Sequence, residues 1–313
     1  MTRPRISATV LRAALAYGLV AALWAGGGLL LPGFAAIGHL RYLLELAAVV
    51  GLVAAGQTVA VIGGGIDLSV SAVITVCAIL PPLLDAATGG GLASLALTLV
   101  VACMVGAANG AGIGWLGVPP LIMTLATATI LQGLLGLVAG GSAVSVDNPA
   151  IDWLGDAQIR GVPVGILLWL AVAAAILVWL HATRGGAMLY ALGTNPLASR
   201  LSGVPGGRIT LAVYVVSAAC AGLAGLLLLA MNKQGYVGIG DPYLLSSITA
   251  VVLGGTSILG GRGSYAGSIA GAILLVTMTA LITVVNASAG WRSILFGCLI
   301  LGLLPLSGRE ARR

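Results

Sequence analysis

The sequence predicts an all-α, polytopic membrane protein of about ten transmembrane helices, with a glycine-interrupted helix pair in each half. Three observations carry this reading. Of 313 residues, 59% are hydrophobic and 7% charged, against about 25% charged in a soluble domain. Mean hydropathy is +1.14. The apolar runs have the length of about 17 to 25 residues at which a helix crosses a bilayer core, without the short alternating segments of a β-barrel.

Taken in order, spans are expected at 13–31, 43–62, 68–84, 92–112, 120–140, 163–181, 209–230, 244–259, 265–285 and 292–306. The first follows a basic head, as a signal peptide would. Its run is long for an h-region and no small-residue cleavage site follows, so an uncleaved helix is expected. The second and third are separated only by a run of glycines, and the eighth and tenth are short. The organisation is then a basic N-terminus over 1–12, one transmembrane domain over 13–306 and a basic tail over 307–313. With both termini cytoplasmic, ten of the fourteen basic residues fall inside and Arg41, Arg160, Lys233 and Arg292 outside, as the positive-inside rule requires. The net charge of +6 thus reports orientation in a membrane, and no basic patch interleaved with aromatics points to nucleic acid. Cys77, Cys103, Cys220 and Cys298 lie in apolar runs without metal-ligand spacing and read as small core residues.

Two glycine-rich breaks echo one another. "QTVAVIGGGIDLSVSAVITVCAIL" carries Gly63, Gly64 and Gly65 between the second and third spans. "TAVVLGGTSILGGRGSYAGSIAGAIL" carries Gly254, Gly255, Gly260 and Gly261 before the ninth. Paired, interrupted segments of this kind mark the halves of many transporters. A buried aspartate in a membrane suggests function. The span count, however, puts Asp67 at the cytoplasmic edge, where Asp67 or Ser69 is expected to cap the following helix.

The chain offers no energy coupling of its own. Its one lysine, Lys233, stands in no phosphate-binding G-x-x-x-x-G-K-[ST] loop. The acids lie near span ends rather than in mid-membrane, so an ion relay is poorly supported. His39 and His181 stand alone, without the neighbours of a hydrolase or a metal site. No catalytic or metal-ligating residue is expected, and no cofactor bound by this chain.

Four blocks in order resemble the permease subunits of bacterial ABC importers for monosaccharides, of the ribose, xylose and galactose type. They are "GGGIDLSVSAV", "GAANG" with "VPPLIMTLATATILQGL", "YALGTNPLASRLSGV" and "AVVLGGTSILGGRGSYAGSIAGAIL". The resemblance spans roughly Leu43 to Leu306. It implies a core of two permease chains, a cytoplasmic ATPase holding ATP and Mg, and a periplasmic sugar-binding protein. Branched-chain amino-acid permeases belong to the same wider family but generally lack the "GIDLSVSA" block. One departure is Gly186-Ala187, where relatives usually carry Gly-Arg.

Site expectations follow. In "NPLASRLSGV", Asn195 suits an N-cap, Pro196 the first helical position and Gly203 the end of a short helix. Arg200, Leu201 and Ser202 would form its knob, which the resemblance makes the element coupled to the ATPase. Asp147, Asp152, Asp156 and Arg160 on the outer loop are candidates for docking the binding protein. The polar residues Gln57, Thr58, Asn109, Thr124, Thr127, Gln132, Ser246, Ser247 and Thr249 are candidates for the translocation path. Gly106 with Gly110, and Gly267 with Gly271, have the spacing of close helix packing. The competing reading is a stand-alone secondary transporter or channel for a small polar solute.

Overall fold

The computed structural model describes residues 8–31, 33–139 and 142–284, with isolated positions 290, 294 and 297. The expected tenth span, Cys298 and the C-terminal tail lie outside the described residues. In chain order the helices are α1 (Ala8–Leu30), α2 (Ile37–Ile62), α3 (Val70–Thr88), α4 (Leu92–Gly114), α5 (Pro120–Ala139), α6 (Pro149–Asp156), α7 (Val164–Ala182), α8 (Arg184–Thr194), α9 (Pro196–Leu201), α10 (Gly206–Asn232), α11 (Asp241–Leu253) and α12 (Tyr265–Val284). Seven of them, α1, α2, α4, α5, α7, α10 and α12, are long and apolar enough to cross a membrane, and α3 and α11 are shorter apolar helices. Four two-residue strands make two ribbons: β1 (Val144–Ser145) pairs antiparallel with β4 (Gln234–Gly235), and β2 (Gln158–Ile159) with β3 (Val162–Pro163).

Two expectations are corrected here. The eighth span, placed at 244–259, begins at Asp241 and ends at Leu253, because the glycines that follow leave the helix rather than continue it. The segment between α7 and α10 is not a loop with one short helix. It holds a second helix, α8, started by Thr183, whose hydroxyl accepts from the Gly186 N–H at 3.2 Å.

The core is organised around α2, which packs on α7, α10, α11 and α12, while α10 packs on α3 and α4 as well. Lipid tails are as apolar as leucine, so helices in a bilayer associate through close packing rather than a hydrophobic drive. Glycine supplies that closeness. A Cβ on Gly110 of α4 would lie 2.6 Å from the Leu211 Cα of α10, and one on Gly56 of α2 would lie 2.6 Å from the Ser217 Cα. Gly267 and Gly271 of α12 admit the backbones of Gly254 and Ala250 in the same way. Side-chain bonds then fix the register. The Trp169 indole donates to Tyr265 Oη at 2.8 Å, and that hydroxyl donates to the Gly51 carbonyl at 2.7 Å. The Thr58 and Ser268 hydroxyls are hydrogen-bonded at 2.8 Å, tying α2 to α12, with the Thr58 proton directed to the Ala54 carbonyl at 2.6 Å.

Candidate functional site

Both glycine breaks close with one backbone design. After α2, the N–H groups of Gly64 and Gly65 reach back to the carbonyls of Val61 and Ala60 at 3.0 Å each, with Gly64 at φ +86°. After α11, Gly255 and Thr256 reach Val252 and Val251 at 2.9 and 3.2 Å, with Gly255 at φ +84°. Each is a Schellman cap with glycine in the left-handed position, where a side chain would be strained. Gly63 and Gly254 hold the corresponding C-cap positions.

The two breaks touch, and α8 ends between them. The Gly261 N–H donates to the Ile62 carbonyl at 2.9 Å, joining the second break to the last residue of α2. Gly193 of α8 lies against both: a Cβ there would collide with the Ile62 carbonyl oxygen and stand 2.7 Å from the Gly261 nitrogen. Gly260 in turn lies against Gly193 and Gly64. Tyr190 donates to the Gly263 carbonyl at 2.7 Å, a second tie from α8 to the second break. Two residues beyond Gly193 the chain enters α9. Asn195 caps it by accepting from Ala198 N at 3.0 Å, and Pro196 opens it. Ser202 is its C-cap, and Gly203, at φ +79°, closes a third Schellman cap through Val204 N to Ser199 O at 3.0 Å. Ser199 is buried, whereas Leu197, Arg200 and Leu201 are exposed.

Beside the first break lies a buried polar cluster. Asp67 is 1% exposed. Its Oδ1 accepts from Ser69 N at 2.9 Å and from Ser69 Oγ at 2.6 Å, and its Oδ2 accepts from Ser217 Oγ of α10 at 2.7 Å. Asn109 Nδ2 donates to Ser69 Oγ at 2.9 Å, and Thr127 Oγ1 of α5 donates to Asn109 Oδ1 at 2.6 Å. Thr124 accepts from Leu68 N at 3.1 Å. Burial raises the Asp67 carboxyl above its ordinary range, and the bonds from Ser69 and Ser217 pull it partly back. Of the two expected caps, Asp67 accepts the Ser69 N–H at the start of α3. Ser69, in the N-cap position, makes no side-chain bond to the first turn of α3, and the carboxylate holds Ser69 itself. The Asp67 carboxyl thus joins the head of α3 through Ser69 to Ser217 of α10.

The expected path residues do not form one lining. Asn109, Thr124 and Thr127 gather around Asp67, and Thr58 bonds α12. Gln57 is fully buried with neither amide atom hydrogen-bonded. Gln132 is exposed on α5. Ser246, Ser247 and Thr249 each donate to their own helix, at 2.7, 2.9 and 2.7 Å.

At the far end of the bundle, Asn148 caps α6 by accepting from Ala150 N at 2.9 Å, and its amide donates to Asp85 at 2.8 Å. Asp152 and Asp156 are not free acids: each binds Lys233 Nζ at 2.8 Å. These bonds raise the Lys233 ammonium pKa against the lowering effect of its slight burial. Asp147 and Arg160 are exposed beside this cluster. Gly193, Ser217 and Tyr190 are not singled out by the sequence, and Lys233 is not read there as a partner of the outer acids. Gly193 does lie inside the quoted "YALGTNPLASRLSGV" block, which was the available signal.

Apolar helices of spanning length, a polar cluster beneath paired helix breaks and a capped knob define a multi-pass membrane permease. Its residues 40–304 match the model of the branched-chain amino acid transport system / permease component family, and the chain belongs to that family. Among curated relatives, the ribose import permease protein RbsC of Escherichia coli K12 is 30% identical over 274 residues, covering 86% of this chain and 85% of its own. RbsC of Bacillus subtilis 168 is 30% identical, covering 90% and 88%. The fructose import permease protein FruF of Bifidobacterium longum is 34% identical, covering 76% and 69%. No solved structure matches the chain.

Proposed function

We propose that this chain is the transmembrane subunit of an ABC importer that carries a monosaccharide across the bacterial inner membrane. Its relatives named for ribose and fructose import, with most of each chain aligned, favour sugar over amino acid. A periplasmic binding protein delivers the sugar, a second permease chain completes the pathway within the lipid bilayer, and a cytoplasmic ATPase holds ATP and Mg. The chain has about ten transmembrane helices, a glycine-interrupted pair in each half and both termini in the cytoplasm.

The observation that carries this reading is the rooting of α9 in the joint of the two breaks. Arg200, Leu197 and Leu201 project from a rigidly capped knob, and Gly193 at its stem lies against the end of α2 and the loop leading into α12. A push on the knob by the ATPase is passed through backbone contact rather than absorbed by a flexible loop. It reaches α2, the central helix, and the α11–α12 pair, and moves the bundle between outward and inward openings. The test is Arg200→Glu in the assembled importer. ATPase activity should continue while uptake falls at least tenfold, and unchanged uptake with the variant fully assembled would defeat the coupling assignment.

A further inference from the structure

We propose that the cavity between α2, α11 and α12 is the chamber in which the permease takes up its solute, and that its wall selects a neutral solute rich in hydroxyls. The inference rests on the monosaccharide reading above and goes further by naming the residues that meet the sugar.

The chain makes this cavity by starting α11 deep inside the bundle. Lys233, bound to Asp152 and Asp156, stands at the end far from the glycine joint. From there residues 234–240 descend along α3. A Cβ on Gly235 would collide with the Ala78 carbonyl, and one on Gly240 with that of Ser71, which is two turns, about 10 Å, nearer the start of that helix. The Gly240 N–H also donates to Thr75 Oγ1 at 3.2 Å. With its 13 residues, α11 then runs about 20 Å to the joint, short of the roughly 30 Å of a bilayer core. Interrupted helices whose heads lie at depth are where many transporters hold their solutes. Around the first turns of α11, between α2 and α12, lies a cavity of about 700 Å³, a volume within the range of small-molecule sites.

Its lining fits the solute. His39 and Tyr42 come from α2, Asp241, Tyr243 and Ser246 from α11, and Thr279 from α12. Of the expected path residues, Ser246 alone lines it. Ser246 and Thr279 spend their single protons on the Pro242 and Leu275 carbonyls at 2.7 and 2.8 Å, so both oxygens are left as acceptors. The Asp241 carboxyl adds acceptor oxygens, and His39 Nε2 is buried with no hydrogen-bond partner among the described residues. Tyr42 and Tyr243 supply ring surface for the apolar side of a sugar, and hydroxyls besides. Among the described residues the lining holds no lysine or arginine, so an anionic solute finds no counter-charge there. Sugar hydroxyls bring the donors that such an acceptor-rich wall requires.

The test uses the complete importer with its ATPase and binding protein, radiolabelled D-ribose and D-fructose as probes, and a background without the native cysteines. Ser246→Cys should react with a membrane-impermeant thiol reagent, added from the periplasmic side, at least tenfold faster than Leu170→Cys on the exposed face of α7. Its modification should lower uptake at least tenfold; if Ser246→Cys does not assemble, Thr279→Cys serves in its place. Asp241→Asn should lower the maximal uptake rate about three- to tenfold, the value of one weakened hydrogen bond. A cavity cysteine no more reactive than Leu170→Cys in an importer that transports overturns the inference and leaves the sugar reading intact. So does parent uptake after its modification, or parent uptake by Asp241→Asn. A parent importer that carries no monosaccharide overturns the sugar reading, and with it the ligand assigned here, even where Ser246→Cys reacts.

Discussion

Replacing Gly193 by alanine sets two physical effects against each other. Gly193 is in the last turn of α8, where helix propensity alone favours alanine by up to about 1 kcal/mol. The joint argues the opposite sign. The added Cβ would meet the Ile62 carbonyl oxygen and lie 2.7 Å from Gly261 N, well inside the roughly 3.5 Å at which such atoms rest. The neighbours are backbone, which cannot swing aside like the tip of a side chain. Overpacking of this kind costs about 1–3 kcal/mol, and prising the breaks apart also loses the Gly261-to-Ile62 bond, worth about 1 kcal/mol. A net loss of about 2–3 kcal/mol is expected. Reversible unfolding of the purified chain in detergent measures it, with Gly133→Ala as the control, since a Cβ at Gly133 meets nothing within 4 Å. The control should be neutral or mildly stabilising. Gly193→Ala as stable as its control, with ATPase still coupled to uptake, would refute the joint.

Other outcomes follow from the same structure. Asp67→Ala leaves three buried donor bonds without an acceptor and should cost at least about 3 kcal/mol, whereas Asp67→Asn, which keeps an acceptor for Ser69, should cost far less; denaturation of both variants compares them. The raised folded pKa of Asp67 means that folding takes up a proton. Its stabilising contribution is fully present below the unfolded carboxyl value and is lost as pH rises through the folded one. Melting curves across that window should show the parent losing stability as pH rises, with a smaller slope in Asp67→Asn. Lys233→Gln breaks two exposed ion pairs, so the loss should stay near or below 1 kcal/mol and shrink in salt; guanidinium-free denaturation at two salt concentrations checks it.

Sequence reading succeeded where local chemistry decides. Asn195, Pro196 and Gly203 bound α9 as their side chains and φ preferences require, and the spacing of Gly106 and Gly110 does admit α10. It does not reach partners that are remote in sequence. Asp67, read as a local cap, accepts the Ser69 N–H and also binds Ser217, 150 residues away. Asp152 and Asp156, expected as docking candidates, are both bound by Lys233, about 80 residues on. Sparse polarity also hides helix ends: residues 254–259 carry no charge and end in Ile258 and Leu259, but Gly254 and Gly255 let the backbone close a cap instead. Gly193 has no polar or periodic feature, and only its two backbone neighbours reveal why it must be small.

The glycine joint also has an electrical character. Three helices, α2, α8 and α11, finish there, and three, α3, α9 and α12, set out from it. Each finishing end carries about half a negative charge and each starting end about half a positive one, so the six nearly cancel. Segments can therefore slide against one another at this point without carrying a large dipole through the bilayer edge and without a trapped counter-ion. The side-chain charges beside it are those of Asp67, at the head of α3 and one hydrogen bond from α10, and of the exposed Arg262, next to Gly261 in the second break.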